Sequence, residues 1–217
     1  TVGKKNQGSG ENRRPKTKHF SPHPKKGEAS NTSDLEFELE DTYVKLFDDF
    51  DPTRSWPDDS TVVPLPAGSD YNWRNFNVEY GSDSRKDFSF DVRAGYGGFY
   101  NGTGLNVSGK ITYRIRPLFN LALSYSYNRF DLPDPHADGS FWLVGPRIEL
   151  TFTDKIYWIN YIQYNQQSDN LNINSRFQWR FAPASDLFLV YTENFLPEGM
   201  STKNRAIILK ISYWFNI

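Results

Sequence analysis

The chain has 217 residues, a formal net charge of -1, no cysteine and a mean hydropathy of -0.68. It contains no apolar run of the roughly eighteen residues a transmembrane helix needs, and its near-neutral charge gives no bulk attraction to nucleic acid. Without cysteine there is no disulfide framework, thiol nucleophile or cysteine metal site. Aromatic residues make up 17% of the chain. That is high for a soluble protein and suits the two interfacial girdles of a transmembrane β-barrel, whose alternating faces cancel in any hydropathy average.

Residues 1–32 are basic and rich in Gly, Ser, Asn and Pro, which predicts a non-strand segment. His19 and His23 stand four apart there, but Pro22 and Pro24 forbid the helix that would pair them as metal ligands. From 33 to 217 the chain reads as one β-barrel, or the C-terminal portion of one. It opens on an acidic strand in which Leu35, Phe37 and Leu39 alternate with Glu36, Glu38 and Glu40. A long loop with Pro52, Pro57, Pro64 and Pro66 follows. From Tyr71 strands and turns alternate. Starts near residues 35, 71, 87, 105, 121, 141, 156, 171, 187 and 205 predict ten strands.

Each segment has one apolar and one polar face, because successive strand side chains point to opposite sides. Phe88, Phe90, Val92 and Tyr96 alternate with Ser89, Asp91 and Arg93. Leu171, Ile173, Phe177 and Trp179 alternate with Asn172, Asn174, Arg176 and Gln178. Most segments are longer than typical soluble strands and reach the length that crosses a hydrocarbon layer when tilted. The expected fold is therefore all-β, an antiparallel transmembrane β-barrel with about ten strands in this chain. With the C-terminus in the periplasm, four short turns fall on the periplasmic side, near 82–86, 117–120, 153–155 and 182–186. The other connections, near 100–104, 133–139, 166–170 and 196–204, fall outside.

The polar faces carry a basic set, Arg93, Lys110, Arg114, Arg116, Arg147, Arg176, Arg180 and Lys210, expected in the lumen together with Glu149. Two roles follow from it. The charges pair across strands with Glu36, Glu38, Glu40, Glu79, Asp91 and Glu149 and fill the lumen, or they line a polar path or a site for an anionic or sugar-like ligand. The first is favoured, because small barrels have nearly full lumens. Asp131, Asp134 and Asp138 share one external loop, where closely spaced acids are candidate calcium ligands. Pro133 and Pro135 also make that loop an ordinary turn-former. The chain closes on Ile207, Leu209, Ile211, Tyr213, Phe215 and Ile217, expected against lipid, with Lys210 and Ser212 toward the lumen. No phosphate loop, nucleophile elbow or zinc motif appears, so neither an enzyme nor a cofactor is expected.

Five blocks carry a family resemblance: Phe141–Ile148, Tyr161–Asn165, Leu171–Arg180, Ala184–Tyr191 and Leu209–Phe215. They resemble the C-terminal barrel of the bacterial outer-membrane family catalogued as domain of unknown function fifty-nine sixteen. Many members of that family are labelled carbohydrate-binding family-nine domain proteins. Val63–Gly68, before Tyr71-Asn-Trp73, resembles a family loop. The resemblance covers about residues 33–217. It implies an outer-membrane location, lipid as the surrounding partner, a link to glycan handling with a glycan as ligand, and a larger barrel preceded by a β-sandwich. It implies no reaction. The expected function is a non-enzymatic scaffold or channel-like component. The alternative is a partner-binding subunit of a larger outer-membrane assembly, docking other proteins through its loops and basic tail. Thr1 is expected not to be the start of translation. Strands missing from the barrel are expected from another chain or an upstream fragment of the same precursor, with the basic tail against a partner or inside the lumen.

Overall fold

A computed structural model describes residues 27–28, 33–54 and 61–215. The histidine pair His19/His23, most of the basic tail, Pro57 and Ile217 lie outside the described residues. Ten long strands run in chain order: β2 (Asp34–Lys45), β3 (Asp70–Gly81), β4 (Phe88–Phe99), β5 (Gly102–Ile115), β6 (Phe119–Asp131), β7 (Gly139–Thr151), β8 (Ile156–Asn165), β9 (Asn170–Ala182), β10 (Ser185–Leu196) and β11 (Ser201–Ser212). They are preceded by a two-residue strand, β1 (Gly27–Glu28), inside the stretch read as non-strand, which pairs with Asp34 and Leu35. Every strand pairs antiparallel with its chain neighbours, in the single sheet order β1 to β11. The only helical element among the described residues is the short 3₁₀ turn Glu198–Met200.

The alternation in the sequence becomes a two-faced sheet because the registers align like with like. One cross-strand row reads Leu35, Tyr80, Val92, Gly109, Tyr125, Val144, Tyr164, Leu171 and Phe195, from β2 to β10. The adjacent row on the other side begins Glu36, Glu79, Arg93, Ser108 and Ser126. A one-residue slip of any strand would exchange the two faces, so ten consistent registers fix one apolar side.

Among the described residues nothing covers that apolar side. Phe37, Phe76, Tyr96, Tyr113 and Trp142 are about half exposed, and Ile207, Leu209 and Ile211 are 68%, 62% and 62% exposed. The buried apolar core among the described residues is five side chains: Leu46, Leu65, Ala122, Phe130 and Leu132. Leu46, Leu65 and Leu132 lie in loops, and Ala122 and Phe130 sit on the polar side. A soluble sandwich would bury its apolar faces against each other.

The connections expected as short hold two to six residues (82–87, 116–118, 152–155 and 183–184) and the others, beside the 46–69 loop, two to seven (100–101, 132–138, 166–169 and 197–200), so short and long do not alternate throughout. β4 and β5 are joined by only Tyr100 and Asn101, because the ladder continues to Phe99 opposite Gly102. A Cβ at Gly102 would stand 2.1 Å from the Asp131 carbonyl, so the glycine permits β6 to approach. The longest connection, 46–69, folds back on itself. Phe50 and Leu65 exchange backbone hydrogen bonds of 2.9 and 2.8 Å, and Gly68 turns the chain at φ 84°. This loop is tied to two others: His136 Nδ1 lies 2.9 Å from the Val63 carbonyl, and Gln167 Nε2 donates to the Pro52 carbonyl at 3.1 Å.

The sheet is not closed on itself among the described residues. β11 pairs with β10 alone, and β2 has only β1 on its outer side.

Candidate functional site

The polar face gathers the charged set foreseen for the lumen, and most of it is engaged. Arg93 reaches Glu38 at 2.9 Å and Glu79 at 3.8 Å, bridging β4 to β2 and β3. Arg147 meets Glu149 at 2.6 Å, and Asn120 Nδ2 donates to the same carboxylate at 3.0 Å. Arg180 lies 3.5 Å from Asp186. Arg116 lies 3.4 Å from Asp87 and donates to the Arg85 carbonyl at 2.6 Å. Arg114 donates to the Ser84 carbonyl at 2.8 Å. Lys110, Arg176 and Lys210 make no ion pair or side-chain hydrogen bond among the described residues. The paired groups are part exposed, so each pair contributes about 0–1 kcal/mol. Their effect is to occupy the charged face rather than to present one sign of charge to a ligand.

The three loop acids are not gathered around one point. Asp131 is held 2.9 Å from Arg129, Asp138 Oδ1 accepts from the Leu132 backbone N–H at 2.6 Å, and Asp134 precedes a cis proline. Among the described residues no group of three potential ligands could hold a metal ion. Of the three carboxylates, that of Asp138 holds the loop backbone.

Ile207, Leu209 and Ile211 stand opposite Tyr191, Leu189 and Leu187 on the apolar side, and Lys210 stands opposite Phe188 on the other. Tyr213 and Phe215 lie just past β11. Tyr213 stacks 6.3 Å from Phe181 and meets Phe215 at 4.5 Å. With Trp179, these rings form an aromatic cluster at the short-turn end. One polar group is buried on the apolar side, where the alternation of β10 also places it. Glu193, only 2% exposed, binds Arg205, the Tyr191 hydroxyl and, at 2.7 Å, the Thr202 hydroxyl. A β-bulge between Asn194 and Phe195 brings Thr202 onto this side.

A concavity lies at the opposite, long-loop end of the polar face, under the 46–69 loop. Its volume is about 490 Å³, and side chains of β3 to β7 form its floor. Asn77, Asn106 and Asn128 stand in one cross-strand row, with Phe141 beside them. Asn106 Nδ2 donates to Asn128 Oδ1 at 2.6 Å. Phe99 and Phe130 stack at 5.2 Å on one side of it. Alternating asparagines at polar-face positions are visible in the sequence. That they share a row depends on registers the sequence does not show.

Tyr100 clamps the loop over this cavity. Its ring lies 5.3 Å from Phe50, 5.2 Å from Tyr71 and 5.0 Å from Trp73. Burial, reinforced by Tyr71, pushes its phenol above the ordinary value of 10.0. A raised acid favours the folded state while protonated. This stabilisation is complete below the unfolded value and is lost as pH rises through the folded one. Alkaline titration is therefore expected to loosen the 46–69 loop, read as a change in Trp73 fluorescence that disappears in Tyr100→Phe. An unchanged transition in that variant would assign the change to another group.

No family model, curated protein or solved structure matches the chain. The family resemblance thus stands on its sequence blocks alone.

Proposed function

We propose that the chain forms the wall of an outer-membrane β-barrel and serves as a non-enzymatic scaffold or channel-like component. The observation that carries this reading is the uncovered apolar side, continuous across ten strands of 10 to 14 residues. Tilted strands of about 9–11 residues cross a hydrocarbon layer, and an apolar surface far above a few hundred Å² requires a cover. Lipid supplies that cover without further protein. The aromatic cluster around Trp179, Phe181, Tyr213 and Phe215 suits an interfacial girdle at the periplasmic end. The long loops and their cavity then face outward. The family resemblance adds the link to glycan handling.

The ion-paired polar face favours a filled lumen over an open conduit. Arg114→Ala and Arg180→Ala are expected to lower thermal stability by about 0–1 kcal/mol each with little effect on ion selectivity. The test is heat-modifiable migration of outer-membrane fractions, followed by planar-bilayer recording of the purified protein. Recovery only in soluble fractions contradicts the membrane reading. A large, stable conductance whose selectivity shifts in either variant contradicts the filled lumen.

A second reading, a subunit of a larger outer-membrane assembly, is favoured by the two sheet edges left open by β2 and β11. It is compatible with the first, since the missing strands of a barrel wall would come from that partner.

A further inference from the structure

The cavity under the 46–69 loop has a lining unlike the rest of the polar face. Where β4, β5 and β7 cross its floor, the charged residues of the short-turn half give way to amides, glycines and phenylalanines. Two neighbouring cross-strand rows set this up. One runs Asn77, Gly95, Asn106, Asn128 and Phe141; the next runs Asn75, Gly97, Gly104 and Phe130. The glycines hollow the floor. A Cβ on Gly95 would stand 2.3 Å from Asn77 Oδ1, and one on Gly104 would stand 3.1 Å from the Phe99 Cβ.

The amides are available. Asn106 and Asn128 bond each other, and Asn128 Nδ2 also donates to the Ser126 hydroxyl at 3.3 Å. Neither Asn75 nor Asn77 bonds another described side chain or backbone group, although both are only partly exposed. An amide offers two donors and a two-lone-pair acceptor, so its unused capacity inside a concavity favours a ligand that both donates and accepts. The walls add apolar faces: Phe50 and Pro52 from the loop, and Phe99, Phe130 and Phe141 from the strands. Of the charged lining residues, Asp51 accepts from the Thr53 hydroxyl at 2.6 and 2.7 Å and Arg129 is held by Asp131, while Arg54 makes no ion pair among the described residues.

We propose that this cavity binds a polyhydroxylated ring, one or two sugar units of a saccharide. Vicinal hydroxyls match the donor and acceptor pairs of the amides, and the C–H face of such a ring packs on the phenylalanine rings. The volume falls within the roughly 300–1,000 Å³ of small-molecule sites. A purely apolar ligand would strand the amides without water, leaving their donors and acceptors unpaired. The basic residues of the chain's own 1–32 segment fit poorly, since the lining gives them no carboxylate that is not already engaged. The site rests on the geometry of the long-loop end and does not require the strands to cross a membrane.

The test uses the protein extracted from membranes in a zwitterionic detergent, so that no detergent sugar competes. Maltose, cellobiose and N,N′-diacetylchitobiose are titrated separately. Calorimetry gives affinity, and Trp73 fluorescence, compared with Trp73→Phe, reports the site through its contacts with Phe99 and Tyr100. At least one saccharide is expected to bind saturably, with affinity reduced about tenfold or more in Asn77→Leu and in Phe141→Ala. Asn77→Asp keeps the shape and one acceptor and is expected to bind more weakly than wild type but to fold normally. Absence of saturable binding by all three saccharides overturns the proposal, as does binding of unchanged affinity in both Asn77→Leu and Phe141→Ala. Heat-modifiable migration, measured on the same samples, tests the barrel reading separately. Saccharide binding without it would retain the site and remove the membrane assignment.

Discussion

Leu209→Lys is expected to remove most of the heat-modifiable, membrane-assembled protein, whereas Lys210→Ala leaves assembly near the wild-type level. The two residues are neighbours on one strand, so the contrast isolates the face. Leu209 belongs to the apolar row Leu150, Trp158, Phe177, Leu189 and Leu209, running from β7 to β11. A lysine near the middle of a lipid-facing band costs about 2–4 kcal/mol, a large part of the stability margin of a typical domain. Lys210 points to the other side, opposite Phe188, and has no ion pair there to lose. The measurement is the folded fraction on semi-native gels of outer-membrane preparations, at matched expression. Equal losses in the two variants would show that the assigned faces of β11 do not correspond to lipid and lumen.

Much of the fold was legible because hydrophobic alternation is a period-two signal, and each of the ten long strands carries it. The observed strands begin within four residues of the expected positions, with β11 furthest off, starting at Ser201 rather than near 205. There the polar run Ser201-Thr-Lys-Asn204 hides the ladder, which the Asn194/Phe195 bulge allows to continue. The β4–β5 connection, expected near 100–104, is shorter than that: Gly102–Gly104 continue the ladder, with glycines that let the neighbouring strands approach.

The site was less legible, because alternation says which face a residue takes but not which residues it meets. Arg147 and Glu149 sit two apart on one strand, so their pairing is local and could be expected. Arg93 with Glu38 spans two ladders and needed both registers. The row joining Asn77, Asn106 and Asn128 needed four strands in register. Phe99, Phe130 and Phe141 would be placed against lipid by residue type alone. They face the polar side because the 46–69 loop provides local cover there, a tertiary effect that no strand period encodes.

The open edges lead to the other large expected effect. β11 is twelve residues long, and about half of its backbone N–H and C=O groups point away from β10. In hydrocarbon each unsatisfied group costs several kcal/mol, so an uncovered edge is far more costly than any single side-chain change considered above. On the barrel reading, the edge must pair with β2 or with strands from elsewhere. In the structure β2 carries β1 on part of that side, and among the described residues β11 pairs with no strand but β10. Residues 1–217 expressed alone behind a signal peptide are therefore expected not to give a protease-resistant, heat-modifiable barrel. Co-expression with the strands that complete the wall, from an upstream fragment or another chain, is expected to restore it. Hydrogen exchange adds residue-level detail: alternate amides of β11 should be labile in the solitary chain and become as protected as those of β9 in the complete assembly. A stable solitary barrel with β2 amides protected by β11 would defeat the two-piece proposal, because the single sheet would then have closed on itself.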